Sequence, residues 1–213
     1  MSQNSRMQRV LETIGEQVAR GFLASAVVEG LHKAYRVGRI TSGRYFFAES
    51  YYSCLDIAVL CFSRLMSKDK SSVTVAYLLN CAEQESESFP YAGKQTVLDA
   101  ISTHRQWLQT LKPLGCTVRL QRNWTLAHID KRHVNNPSLI ESLPAIPIDQ
   151  VIGAFPRFLE IINTYKGYLS DSELSLKVLE QETARDVDYL LDLIEQDNKR
   201  KSTLLLTNRP PLL

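Results

Sequence analysis

The residues best suited to chemistry lie between Gln121 and His133, which reads Q-R-N-W-T-L-A-H-I-D-K-R-H. Arg122 is followed at once by Asn123, and five residues separate Arg122 from His128. A histidine with an ordinary pKa of about 6.5 can take a proton from a ribose 2′-hydroxyl or return one to a leaving oxygen near neutral pH. An arginine fork matches phosphate oxygens and stays charged as negative charge builds. Asn123 can hydrogen-bond a phosphate or orient the histidine, and Lys131 and Arg132 add positive charge that could hold a nucleic-acid backbone. Such a set suits phosphodiester cleavage without a metal. In one α-helix, however, six positions turn through about 600°, leaving Arg122 and His128 about 120° apart around the axis and about 9 Å apart along it. Bending of the arginine, an early helix end near Ala127 or a second copy from another subunit would close that gap.

Spacing alone does not single these residues out, because arginine and histidine at this separation arise in many helices. Trp124 and Leu126 read as core residues, and Asp130 as a helix-end or salt-bridge partner for Lys131 or Arg132. His32, His104 and His133 read as surface or packing histidines. No residues show metal-ligand spacing, and no cofactor is expected. The cysteines at 54, 61, 81 and 116 form no close pair and sit mostly within apolar segments, which fits buried free thiols in a reducing compartment.

The elements that must position this stretch are helical. Met7, Val10, Leu11, Ile14 and Val18 recur at spacings of three and four, predicting a helix from Gln3 to Arg36. Thr41 or Ser42 is the expected cap of a second, richly apolar helix ending at Met66, and Ser72 of a shorter one carrying Val73, Val75, Ala76, Leu78 and Leu79. A loop is expected from Glu83 to Gly93 around Phe89-Pro90, then a helix from about Lys94 to Leu111. Pro113 and Gly115 precede the segment with Val118 and Leu120, read as a helix with Arg122 and His128 near its C-terminal end. Prolines 137, 144 and 147 mark an extended connection, since the residue before a proline is pushed out of helical geometry. Two further helices are expected at Ile148 to Tyr168, which contains Pro156, and at Leu174 to Lys199. No period-two strand run or long repeat stands out. The expected architecture is all-α, a single helical domain over residues 1–200 followed by a flexible tail at 201–213.

Composition places the chain in the ordinary globular class, with 44% hydrophobic and 23% charged residues among 213. Lys and Arg total 25 against 23 Asp and Glu, a net charge of +2, so any nucleic-acid site must be a local patch. No signal-peptide pattern and no apolar run long enough for a bilayer is present, so a cytoplasmic protein without a membrane partner is expected.

Arg122-Asn123 with His128 resembles the arginine, polar residue and downstream histidine of HEPN domains. The run R-N-W-T-L-A-H-I-D-K is similar to that of the AbiU-type HEPN family associated with abortive infection. R-Y-F-F at 44 to 47, A-V-L-C-F-S-R-L at 58 to 65 and V-A-Y-L-L at 75 to 79 extend the resemblance over Gly30 to Lys131. It implies an up-and-down four-helix bundle with short accessory helices, forming homodimers in which two motifs face one cleft. It also implies a metal-independent endoribonuclease acting as a toxin or antiphage effector. Arg122 would stabilise phosphate, His128 would be the acid or base and Asn123 the polar helper, with RNA as partner beside an antitoxin or a nucleotidyltransferase. Two other readings stand beside this one: a non-catalytic HEPN module binding nucleotide, RNA or a protein, and a helical scaffold in which the stretch is structural.

Overall fold

The apolar stripes predicted from periodicity become buried helix faces. A computed structural model describes residues 6–122 and 144–207, with side chains as far as residue 200. Seven helices are described: α1 (Arg6–Arg36), α2 (Arg44–Leu65), α3 (Val75–Gln84), α4 (Lys94–Thr110), α5 (Lys112–Gln121), α6 (Ile148–Ser170) and α7 (Lys177–Thr207). Among the described residues there is no strand, so the all-α expectation holds.

Contacts divide the chain into two compact units that alternate along the sequence. The first comprises Met1–Phe22 and Asp56–Leu176, the second Leu23–Leu55 and Lys177–Leu213. Within the first unit, Met7, Val10, Leu11, Ile14 and Val18 of α1 are buried, as are Ala58, Val59, Phe62 and Leu65 of α2. The centre belongs to α6, which buries Phe155, Phe158, Ile161, Ile162 and Tyr165 completely. The Phe158 ring meets Phe62 of α2 at 6.0 Å and Trp107 of α4 at 5.2 Å. Tilted and edge-on rings at these separations add to the free energy of burial itself. Gly21 brings α1 against the Phe155 ring, a position that a Cβ would obstruct. Pro156 lies within α6 on an exposed position, and the helix continues past it to Ser170.

The short helices attach to this bundle through polar clamps. Arg6 of α1 donates to the Tyr77 hydroxyl of α3 at 3.1 Å, and Arg105 of α4 grips Glu83 at 2.7 Å and Asn80 at 2.9 Å. Thr74, rather than the expected Ser72, caps α3: its hydroxyl accepts from the Tyr77 amide at 3.1 Å and its backbone is extended. The loop after α3 buries Phe89 beside Tyr165 and Tyr168, each ring 6.3 Å away.

In the second unit, Leu31, Ala34, Phe47 and Leu191 form the core, flanked by Val27, Ile40, Tyr51, Val187 and Ile194. Gly38, at φ 73°, ends α1. The Arg39 amide donates to the Ala34 carbonyl at 3.0 Å and the Gly38 amide to that of Tyr35 at 3.1 Å. This is the paired closure that a left-handed residue permits after a helix. Arg39 then bridges Asp188 and Asp192 of α7 at 2.6 and 2.7 Å. The expected caps of α2 have other work: α2 starts at Arg44, and the Thr41 and Ser42 hydroxyls accept from the Asn198 amide.

The last helix also begins later than periodicity predicts. Asn163 of α6 holds both backbone groups of Leu174, accepting from its amide at 2.7 Å and donating to its carbonyl at 3.3 Å. Bonded this way, Leu174 precedes the helix, and α7 opens at Lys177. It continues to Thr207, into the stretch expected to be a tail.

Candidate functional site

Arg122 closes α5. Pro113 sits in the first turn of that helix, where its missing amide proton costs nothing, and Leu114 and Val118 anchor the buried face. Lys112, Gly115, Arg119 and Arg122 follow at spacings of three, four and three, so they share one helix face. Gly115 faces the Met66 side chain, whose Cβ lies 3.7 Å from the position a Cβ on Gly115 would take, an ordinary packing distance. The Arg122 backbone keeps helical dihedrals, φ −56° and ψ −47°.

This face of α5 meets the end of α2. The Arg122 Nη1 donates to the Ser63 hydroxyl at 3.2 Å, and Ser63 is buried. Between the helices lies a cavity of about 50 Å³, lined on the α5 side by Lys112, Arg119 and Arg122 and on the α2 side by Ser63, Ser67 and Lys68. Among the described residues, four cations line it and no carboxylate does. A chain with a net charge of only +2 thus concentrates positive potential at one place. The site can accept an anion: arginine supplies directional donors and lysine supplies charge, with Arg122 partly buried and Lys68, Lys112 and Arg119 exposed.

The positions of Asn123, His128, Lys131 and Arg132 lie outside the described residues, as do Trp124, Leu126, Asp130 and His133. Of the residues given a role in the predicted site, Arg122 is therefore the one whose surroundings are described. The structure adds Lys112, Arg119, Ser63 and Lys68. The first two were detectable as helix-spaced partners of Arg122. Ser63 and Lys68 come from another helix, and no local signal joined them to it.

Other reactive groups in the described residues are less suited to chemistry. His104 is buried in the first unit with its Nδ1 3.1 Å from the Tyr165 hydroxyl, a packing histidine as expected. Burial pushes its pKa down, with Arg157 acting in the same direction and Glu160 opposing. Burial pushes the Tyr165 hydroxyl up, so it stays protonated. All four cysteines are free, Cys61 and Cys81 are buried, and burial raises the Cys61 and Cys54 thiols, disfavouring the nucleophilic thiolate. Among the described residues no group of three or more His, Cys, Asp or Glu side chains could hold a metal ion. No helix among them is long and apolar enough to cross a membrane.

A helical bundle in which α5 ends at the arginine of an arginine, polar residue and histidine run fits an HEPN-type domain. The family model described as AbiU2 (HEPN_AbiU2) matches residues 31–190, so the chain belongs to the AbiU2 family of HEPN domains, which is related to abortive infection. No curated protein and no solved structure matches the chain.

Proposed function

We propose that the protein is a metal-independent endoribonuclease that acts as a homodimeric toxin or antiphage effector in abortive infection. The observation that carries this reading is the setting of Arg122, tied to Ser63 and grouped with Lys68, Lys112 and Arg119 around a cavity that no carboxylate among the described residues lines. Membership of the AbiU2 family of HEPN domains supports reading this cluster as a phosphate site.

In this mechanism the scissile phosphate rests against Arg122. His128 removes the 2′-hydroxyl proton, the 2′-oxygen attacks phosphorus and the bond to the 5′-oxygen breaks. The departing 5′-oxygen takes up a proton, either from His128 of the second copy or from water. The products are a 2′,3′-cyclic phosphate and a free 5′-hydroxyl. Arg122 offsets charge on the non-bridging oxygens as they develop it. Asn123 orients the phosphate or the histidine, and Lys131 and Arg132 hold the flanking backbone.

The purified protein should therefore cleave RNA in EDTA and leave 2′,3′-cyclic ends. Loss of general acid or base catalysis in His128→Ala should slow cleavage by about 10²–10⁴-fold. Arg122→Lys, which keeps the charge but loses the planar fork, should also be impaired. Undiminished cleavage by a folded His128→Ala protein would sink the mechanism. RNA binding without turnover by the wild-type protein would assign the chain to the non-catalytic HEPN modules instead.

A further inference from the structure

The turn between α1 and α2, in the second unit, carries large apolar side chains that the core leaves uncovered. Leu31, Ala34, Phe47 and Leu191 hold this helical hairpin from the inside. On its outside Val37, Tyr45 and Phe46 are 64%, 81% and 62% exposed, and Tyr35 and Tyr52 are open as well. Single exposed apolar side chains are ordinary, but several gathered at one turn call for a partner. The same end is basic. Asn198 donates to the Thr41 and Ser42 hydroxyls at 3.2 and 3.0 Å, which sets the last turns of α7 beside the turn. From there α7 passes through Lys199, Arg200 and Lys201, then Leu204, Leu205 and Leu206, to Thr207. Residues 33–52 and 195–201 together hold seven Lys and Arg against three Asp and Glu. Arg39 is engaged by Asp188 and Asp192, and Lys199 by Glu195, while Lys33, Arg36, Arg44 and Arg200 are exposed.

We propose that this end of the second unit docks on the surface of an anionic lipid bilayer, with Val37, Tyr45 and Phe46 entering the headgroup boundary and Arg36, Arg44 and Arg200 meeting the lipid phosphates. Tyrosine suits that layer because its ring is apolar and its tip polar. Arginine and lysine lay their stems along apolar surface while their charged heads reach outward. Basic clusters beside exposed apolar side chains are the combination that holds peripheral proteins to anionic leaflets. A nucleic acid would use the same charges, yet an exposed valine offers a base no ring to stack on, so a lipid surface is the better match. The contact is peripheral, since no helix among the described residues is long and apolar enough to cross a membrane. The expectation of no membrane partner rested on the lack of a spanning run, which surface docking does not need. None of these residues has a role in the ribonuclease reading, so the proposal stands or falls apart from it.

The full-length protein is mixed with vesicles of phosphatidylcholine alone, or with about one-quarter phosphatidylglycerol, and the bound fraction is measured by cosedimentation. It should bind the anionic vesicles and not the neutral ones. Binding should fall as NaCl rises from about 0.1 M to about 1 M and the Debye length shrinks from about 10 Å to about 3 Å. Arg44→Ala should weaken binding on the order of fivefold. The double variant Val37→Ser, Phe46→Ser should weaken it on the order of tenfold, because binding scales with the apolar area that enters the boundary. Both variants change exposed side chains, and circular dichroism checks that each is folded. Failure of the wild-type protein to bind the anionic vesicles overturns the proposal, as does wild-type affinity in either folded variant. A loss confined to Arg122→Ala would move the lipid contact to the other cationic cluster and overturns it too. Two further results would reassign the face while the wild type ignores vesicles: conversion of a dimer to a monomer by the double variant, which assigns it to a second copy, or capture of single-stranded RNA through Arg44. Either overturns the proposal.

Discussion

His104 shows how a single residue ties packing to pH. It is buried beside Tyr165, and its folded pKa lies below the ordinary value because burial, helped by Arg157, disfavours the charged ring. In the unfolded chain it titrates near about 6.5. Above that value both states carry neutral imidazole and the contribution is flat. Below it the unfolded chain binds a proton that the fold refuses, so stability falls as pH drops from the unfolded value towards the lowered folded one. Urea midpoints followed from neutral to mildly acidic pH should decline in the wild type and decline less steeply in His104→Gln. Parallel declines would show that other groups control the acid limb. Arg122 illustrates a different use of a half-buried side chain: its bond to Ser63 sets the direction in which its fork points.

At the scale of elements, two glycines in long helices predict opposite outcomes for the same substitution. In a helix interior, replacing glycine by alanine ordinarily stabilises by about 1 kcal/mol. Gly153 in α6 has nothing within 4 Å of the position a Cβ would take, so Gly153→Ala should gain close to that amount. Gly21 in α1 faces the Phe155 ring, which is fully buried and would have to shift to admit a Cβ. Overpacking of this kind costs about 1–3 kcal/mol and outweighs the propensity gain. Gly21→Ala should therefore lower the melting temperature while Gly153→Ala raises it; a rise in both would mean that α1 can shift without cost. The same approach of α1 to α6 explains why an interior glycine is tolerated in a 31-residue helix.

At the scale of the whole molecule, the two units differ in how much core they own. The first buries Phe62, Phe155, Phe158, Tyr165 and a set of aliphatic side chains, whereas the second centres on Leu31, Ala34, Phe47 and Leu191. Fewer buried apolar contacts mean a lower free energy of local opening. Native-state hydrogen exchange should accordingly be faster in the α7 amides and in residues 23–55 than in α6. Equal protection throughout would show that the units open only together. Arg39, bridging Asp188 and Asp192, adds little to this balance because exposed ion pairs contribute weakly.

Helical class, the approximate extent of each helix and the identity of the buried stripes follow from the chain alone, because a period of 3.6 residues writes itself into the spacing of apolar side chains. The run from Arg122 to His128 and the family it belongs to were legible for the same reason: the chemistry-bearing residues are neighbours in sequence. Helix ends were less legible. Thr74, Asn163 and Gly38 set boundaries through specific hydrogen bonds, and several nearby residues of similar type could have taken those roles. Tertiary structure alone decided that Ser63 and Lys68 join Lys112, Arg119 and Arg122 around one cavity. It alone also gathered residues 23–55 and 177–213 into one unit and set the last turns of α7 beside the turn between α1 and α2. Those groupings depend on which helix faces meet, and meeting is set by the fit of side chains far apart in sequence, which no local pattern encodes.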